Sequence, residues 1–339
     1  STGDIHLNHK RELRPMIPHH LITLVGPTAS GKTSLGVAIA AALSGEIISA
    51  DSRQVYRRMD IGTGKDLSEY TLQDGSSIPY HLIDIANPGE VYDLFHWLAA
   101  FRTSYQEILN RGKTPLLVGG TGLYVETALR GDSLSNAPQN ERLRKELYNL
   151  SHEDLKDILR RYGGTPRTDI GSVRRTIRAI EIAAYYARYP EQDPWKKSNA
   201  TVKTQGNEAQ NSPLILCIQL PREERVRRIG ERLKKRLEEG LIEEVEQLIA
   251  SGVPTERLIQ YGLEYRFITQ HLLGELSREE MVTQLEIAIR QFAKRQMTWF
   301  RGMERRGYTL HYLDGTQSFD CLCQEALEYI ASKREGKLN

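Results

Sequence analysis

The segment Gly26-Pro-Thr-Ala-Ser-Gly-Lys-Thr33 most constrains how this chain can fold. It matches the pattern G-x-x-x-x-G-K-[ST] without deviation. The preceding apolar residues 21–25 predict a buried strand, and the Ala-rich residues 34–43 predict a helix. A glycine-rich loop between a strand and a helix lets backbone N–H groups face an anion, and the helix N-terminus adds partial positive charge. The segment therefore predicts a phosphate-binding loop, in which Lys32 supplies a point charge and the Thr33 hydroxyl can reach Mg²⁺ or a phosphate oxygen.

Further apolar runs alternate with helical patterns along the chain. Strands are predicted at 46–50, 81–85, 115–118 and 214–220, and a helix is predicted at 92–111. Strands that alternate with helices indicate an α/β fold, in which a parallel sheet carries helices on both faces.

The pattern changes near residue 131, and this change predicts the domain organisation. Residues 137–190 are helical in pattern, and the polar stretch 191–213 has the composition of a linker. Because a buried strand returns at 214–220, we predict a helical domain at 131–205, inserted into a P-loop core at 21–130 and 206–315. Residues 1–20 are expected to be a polar tail, and 316–339 a C-terminal helix and tail.

Composition narrows the class of protein. Three cysteines among 339 residues are too few for a disulfide framework, which favours a reducing, intracellular compartment. No run approaches the length of a membrane span, and no signal peptide is expected. The net charge is only +2, but basic side chains are concentrated in two segments. Residues 222–236 carry eight basic and three acidic side chains, and residues 290–306 carry six basic side chains and one acidic side chain. Such local concentrations can bind a polyanion, although solvated helix faces would look the same.

An acidic residue should close a later apolar strand if this were an ordinary NTPase. The strand at 115–118 ends instead in Gly119-Gly-Thr121, and the acid at a strand end is Asp51. Since the carboxyl ends of parallel strands line the ligand crevice, Asp51 should face the phosphate loop. Its residue type allows three roles: metal ligand, general base, or N-cap of the next helix.

Several segments together resemble the tRNA dimethylallyltransferase (tRNA isopentenyltransferase) family. They are the phosphate loop, Ile48-Ser-Ala-Asp-Ser-Arg-Gln-Val-Tyr56, Met59-Asp-Ile-Gly-Thr63, His81-Leu-Ile-Asp-Ile85, Leu117-Val-Gly-Gly-Thr-Gly-Leu-Tyr124, Arg178-Ala-Ile-Glu181 and Lys294-Arg-Gln-Met-Thr-Trp-Phe-Arg301. They appear in family order over about residues 21–315. The resemblance implies a P-loop NTPase-like fold and transfer of a dimethylallyl group from dimethylallyl diphosphate to N6 of the adenosine 3′ to the anticodon, with release of diphosphate. It also explains the missing acid, because the loop would hold the prenyl donor instead of ATP.

The resemblance implies roles for the catalytic residues. Asp51 matches the family's general base, and Arg232 matches the arginine that clamps the diphosphate together with a loop threonine, for which we expect Thr33. Mg²⁺ is the expected cofactor, with Thr33 as a candidate ligand. The expected diphosphate-binding residues are Gly26, Pro27, Thr28, Ala29, Ser30, Gly31, Lys32 and Thr33. On the same predicted helix, Arg225 and Arg236 are expected to be solvated edge residues.

The partners implied by the resemblance are dimethylallyl diphosphate and the anticodon stem-loop of a tRNA, which the inserted domain would grip. The expected tRNA contacts are Ser52, Arg53, Gln54, Thr121, Arg174, Arg175, Arg178, Lys294, Arg295, Gln296, Trp299 and Arg301. Trp299 could alternatively belong to the core. We expect a cytoplasmic monomer.

Three other functions fit part of the pattern. An adenylate isopentenyltransferase needs the same donor site but no long basic surface. A P-loop nucleotide kinase lacks support because the strand-end acid is missing. A non-catalytic RNA-binding module does not need Asp51, Thr33 and Arg232 together. Two stretches also depart from the family pattern, 66–78 and 261–265.

Overall fold

The computed structural model describes residues 20–130, 137–163, 170, 172–193 and 213–335. The strands are β1 (Ile22–Val25), β2 (Gly45–Ser49), β3 (Tyr80–His81), β4 (Thr114–Gly119), β5 (Leu214–Gln219) and β6 (Leu310–Asp314). The helices are α1 (Lys32–Leu43), α2 (Leu94–Asn110), α3 (Gly122–Arg130), α4 (Glu141–Leu147), α5 (His152–Arg161), α6 (Val173–Arg188), α7 (Arg222–Glu239), α8 (Leu241–Ala250), α9 (Thr255–Gln260), α10 (Leu263–Leu272), α11 (Arg278–Arg305) and α12 (Phe319–Arg334). Short 3₁₀ turns cover Leu67–Tyr70 and Pro190–Gln192.

All six strands form one parallel sheet in the order β3-β2-β4-β1-β5-β6. Alternate strand residues such as Ile22 and Leu24 pack with α1 and α12 into one hydrophobic core. The strand residues between them, whose side chains point to the other face of the sheet, are equally buried, as Ile48 and Leu117 show. Helix α2 packs on β2 and β4. Apolar side chains on both faces of a strand need a cover on both faces. The predicted α/β sheet with helices on both faces is confirmed.

The third predicted strand, 81–85, is wrong beyond its first residue. Only Tyr80 and His81 pair with β2. Leu82 and Asp84 have φ values of 66° and 58°, a left-handed backbone that cannot continue a β-ladder. The amide of Asp84 donates to the carbonyl of Gln54 instead. A sixth strand, β6, was not predicted from sequence, and it pairs with β5 at the sheet edge.

The chain divides into two compact units. One unit contains the described residues of 127–204, where α4, α5 and α6 pack around Leu155, Ile177 and Ile180. The other contains the described residues of 19–126 and 205–339, and it holds the whole sheet. Among the described helices, none combines the length and apolar character that a bilayer span requires.

Candidate active site

The phosphate loop joins β1 to α1 and is shaped by its last glycine. Gly31 precedes α1 with φ 84°, a left-handed conformation that glycine adopts without steric cost. This turn starts the helix at Lys32, so the amides of Gly31, Lys32 and Thr33 have no acceptor within the described part of the chain. Three unpaired amides at a helix N-terminus form an anion-binding site.

Two buried cations, Lys32 and Arg232, lie close together at this loop. Burial and the neighbouring Arg232 lower the pKa of Lys32 to about 8, while Asp51 opposes that shift. Burial and the adjacent Arg236 likewise lower the pKa of Arg232 to about 10. Burial is the larger cause of both shifts, and repulsion from a neighbouring arginine adds to each. A polyanion such as a diphosphate would relieve this repulsion.

Arg232 reaches the loop at a different threonine from the one expected. Its Nη1 lies 3.5 Å from the Oγ1 of Thr28, and its Nη2 lies 3.8 Å from a carboxylate oxygen of Asp66. Thr33 instead points its hydroxyl at no partner among the residues described. The structure therefore pairs Thr28 with the arginine and leaves Thr33 available for another ligand.

The expectation that Arg236 is a solvated edge residue is wrong. Its guanidinium donates to the carbonyl of Ile61 and lies 3.2 Å from Asp66. The side chain is only 11 % exposed. Arg236 therefore fixes the segment around Asp66 beside Arg232. Asp66 could not be identified from the sequence because its partners are about 170 positions away.

Asp51 follows β2 at the same sheet edge as the phosphate loop. Its Oδ1 accepts hydrogen bonds from the amides of Arg53 (2.8 Å) and Gln54 (3.2 Å). Asp51 thus caps a turn, and the N-cap role is wrong because the next helical element begins only at Leu67. Its Oδ2 has no hydrogen-bond partner within the described ranges, so it can still accept a proton or bind a metal.

Thr121 connects the Asp51 turn to the end of β4. Its amide donates to the carbonyl of Ala50 at 3.2 Å, and its hydroxyl accepts from the amide of Ser52 at 3.1 Å. These bonds need close approach, because a Cβ on Gly119 would lie 2.3 Å from the Ala50 oxygen. Thr121, which the resemblance implies as a tRNA contact, therefore holds the turn that follows Asp51.

Arg53 and Gln54 have internal partners. Arg53 forms an ion pair with Glu264, an acid that sequence reasoning did not select. The amide nitrogen of Gln54 donates to the carbonyls of Thr63 (3.1 Å) and Gly64 (3.3 Å). Glu264 lies in the stretch that departs from the family pattern, which is the signal that could have found it.

A buried acid supports the neighbouring loop. Glu244 of α8 accepts hydrogen bonds from the amides of Asp60, Ile61 and Gly62. It also accepts from the hydroxyl of Tyr265 at 2.8 Å. A carboxylate that binds three successive amides is a strong positional restraint. The only sequence signal was an acid beside apolar helix positions.

The residues selected on α11 have different environments. Lys294, Arg295 and Arg301 are exposed, whereas Gln296 is buried. Trp299 is half-buried, packs against Gly122 and lies under the guanidinium of Arg306, 5.4 Å from its ring centre. Trp299 is thus part of the packing between α3 and α11.

The selected arginines of α6 also differ, within their own unit. Arg174 is exposed and Arg175 is half-buried. Arg178 forms an ion pair with the buried Glu181 and donates to the carbonyl of Ala137 at 2.8 Å. The described residues contain no group of three or more His, Cys, Asp or Glu side chains that could hold a metal.

The chain matches two family models, "IPP transferase" over residues 54–303 and "Isopentenyl transferase" over residues 19–75. It is 50% identical to tRNA dimethylallyltransferase 1 of Parabacteroides distasonis over 89% of this chain and 94% of that protein. It is 49% identical to tRNA dimethylallyltransferase 2 of Bacteroides fragilis over 94% of this chain and 99% of that protein. The crystal structure of a tRNA isopentenylpyrophosphate transferase from Bacillus halodurans aligns with a TM-score of 0.66 at 33% identity, covering 94% of this chain and 97% of that one. With family models, relatives and fold in agreement over most of its length, the chain belongs to the tRNA dimethylallyltransferase family.

Proposed function

We propose that this protein transfers the dimethylallyl group from dimethylallyl diphosphate to N6 of the adenosine 3′ to the anticodon in tRNA. One observation carries the proposal: a carboxylate with a free oxygen, Asp51, and a phosphate loop with unpaired amides and a buried lysine lie at the same edge of one sheet. The relatives at about 50% identity are named for this activity on tRNA.

The proposed reaction breaks the bond between C1 of the prenyl group and the diphosphate oxygen. Negative charge then develops on the leaving diphosphate, where the loop amides, Lys32 and Arg232 can stabilise it. The N6 nitrogen of adenine forms the new bond to C1 and gives up a proton. Oδ2 of Asp51 accepts that proton, because its other oxygen is already engaged by two amides.

Mg²⁺ fits the residues present. Mg²⁺ sites commonly combine one or two protein oxygens with substrate phosphates and water. The Thr33 hydroxyl, half-buried at the start of α1 with no partner among the described residues, can supply such an oxygen. Bound there, the metal would neutralise charge on the diphosphate.

Exposed cations support a tRNA acceptor, since a mononucleotide offers few phosphates to contact: Arg174 in the helical unit and Lys294, Arg295 and Arg301 on α11 of the other unit. We also propose that the protein acts as a cytoplasmic monomer, which sedimentation and cell fractionation would test.

The acceptor decides between the two prenyl-transfer functions. Labelled dimethylallyl diphosphate should be offered with unmodified tRNA, AMP or ATP in separate reactions. We expect label on tRNA alone. Label on AMP or ATP, with none on tRNA, would establish the adenylate isopentenyltransferase function instead.

A further inference from the structure

We propose that Gln296 is a positioning residue that joins the phosphate loop to the turn after β4, so that the donor and acceptor sides of the site keep one fixed spacing. This inference rests on the proposed function and assigns Gln296 a role other than the tRNA contact expected from the sequence.

Gln296 binds both loops through its side-chain amide. Its Oε1 accepts a hydrogen bond from the backbone amide of Thr28 at 2.8 Å. Its Nε2 donates to the backbone carbonyl of Gly120 at 3.1 Å. The residue is 8% exposed, so water cannot readily replace either bond. One buried side chain from α11 therefore bridges the loops that follow two adjacent strands, β1 and β4.

Each of the two loops that Gln296 joins also contacts residues proposed to act on one of the two substrates. On the donor side, the hydroxyl of Thr28 lies 3.5 Å from Arg232. On the acceptor side, Gly120 precedes Thr121, which binds the amide of Ser52 next to Asp51. The bridge thus joins the loop that contacts Arg232 to the loop that holds the turn after Asp51.

The chemistry of the two partners selects glutamine at this position. A backbone N–H can only donate and a carbonyl can only accept, so the bridging group must offer one acceptor and one donor. A carboxylate lacks the donor and would place negative charge beside an anion site, while methionine offers neither bond of comparable strength. The partner also needs glycine, because a Cβ on Gly120 would lie 2.5 Å from Nε2 of Gln296.

The bridge has a consequence for diphosphate binding. Because the backbone amide of Thr28 already donates a hydrogen bond to Gln296, it cannot bind the diphosphate of the prenyl donor. The unpaired amides of Gly31, Lys32 and Thr33 are left to bind the diphosphate. Loss of the bridge should therefore shift the Thr28 end of the loop while leaving the helix N-terminus intact.

The test compares Gln296→Met with Gln291→Met, the same substitution at an exposed position of the same helix. Titration calorimetry with inorganic diphosphate measures the affinity of the phosphate loop for its ligand and does not require turnover. We expect Gln296→Met to weaken diphosphate binding and to lower the single-turnover transfer rate, each by about 10-fold, since small misplacements cost up to about 10²-fold. Affinity for tRNA should stay within about 2-fold, and Gln291→Met should match the wild type.

A second variant reaches the bridge from its other end. Gly120→Ala should give the same pattern, because its Cβ displaces the Gln296 amide, and it keeps the test decisive if Gln296→Met does not fold.

Weaker tRNA binding with unchanged diphosphate binding, in either variant, would overturn the proposal in favour of a tRNA contact. Unchanged diphosphate affinity and rate in the folded fraction would also overturn it, leaving only a structural role. A wild type that binds diphosphate without modifying tRNA would contradict the proposed function, and the calorimetry would still decide the role of Gln296.

Discussion

The guanidinium of Arg232 lies 3.5 Å from the hydroxyl of Thr28, a residue 204 positions earlier in the chain. Helix α7 thereby brings a cation to the phosphate loop, at the end that Gln296 holds. Thr33, at the other end of the loop, has no such contact in the described chain. The two threonines should therefore serve different ligands.

Thr28→Val and Thr33→Val separate these two roles. Thr28→Val removes the hydroxyl beside Arg232, so we expect about 3- to 10-fold weaker donor binding at every Mg²⁺ concentration. Thr33→Val should raise the Mg²⁺ concentration needed for half-maximal rate. Donor titrations at several Mg²⁺ concentrations measure both effects. An Mg²⁺ dependence that changes in Thr28→Val and not in Thr33→Val would contradict the assignment.

Donor binding should weaken as the pH rises through about 8. Burial and Arg232 lower the pKa of Lys32 to about 8, so the empty site loses this charge above that pH. The loss can reach about one order of magnitude in affinity per pH unit while the bound form stays protonated. Diphosphate titrations from pH 7 to pH 9.5 measure it. Lys32→Met should bind weakly with a flatter profile, and equal slopes in both proteins would refute the role of Lys32.

The same pKa sets the sign of a stability effect. Unfolded Lys32 titrates near 10.5, so between about pH 8 and 10.5 the unfolded chain binds more protons than the folded one. The contribution of Lys32 to the free energy of unfolding therefore rises with pH across this window. Lys32→Met should lack that rise in urea unfolding experiments.

The helical unit depends on the carboxylate of Glu181. This side chain is 1% exposed, and it accepts hydrogen bonds from the amide of Asn140 and from the guanidinium of Arg144, besides its ion pair with Arg178. These partners overcome the opposing effect of burial and lower the pKa of Glu181 to about 2. Its stabilising contribution is therefore present above about pH 4.5 and is lost as the pH falls toward 2.

Glu181→Gln should destabilise this unit by about 3 kcal/mol at neutral pH, because it leaves two arginines without their shared anion. Hydrogen exchange of the α6 amides measures the change. Glu153→Gln, at an exposed acid with a surface ion pair, should change exchange little. Equal protection of α6 in Glu181→Gln and wild type would show that the cluster adds no stability.

Arg174 and Arg178 should affect tRNA binding differently. Exposed Arg174 can contact phosphate, so Arg174→Ala should flatten the plot of log affinity against log salt by about 0.7 to 1. Arg178 is held by Glu181, so Arg178→Ala should leave that slope unchanged in the folded protein. Filter binding at 50–300 mM salt tests both, and the reverse pattern would assign the phosphate contact to Arg178.

The parallel sheet and the phosphate loop were predictable because they depend on local signals: apolar runs, a glycine motif and a helix start. The strand predicted at 81–85 was wrong because Leu82 and Asp84 take left-handed backbone conformations, which their residue types do not indicate. The partners of Asp84 and its neighbours lie on the segment after Asp51, which only the tertiary structure supplies.

The sequence indicated which residues form the site, but it did not indicate which of them contact one another. Asp51 and the loop were found because each follows a strand. The bridge made by Gln296 and the ion pair of Arg53 with Glu264 join residues more than 170 positions apart. No local pattern distinguishes such internal bonds from contacts with RNA, so both residues were expected to bind tRNA.

The role of Asp51 is tested most directly by single-turnover transfer with Asp51→Asn across a Mg²⁺ titration. Asparagine keeps the oxygen that the Arg53 and Gln54 amides bind, but it cannot accept the proton from N6. We predict a rate about 10² to 10⁴ lower, the usual contribution of general-base catalysis, with little change in donor and tRNA affinity. A rate restored by high Mg²⁺, together with weaker donor binding at low Mg²⁺, would contradict the account and make Asp51 a metal ligand.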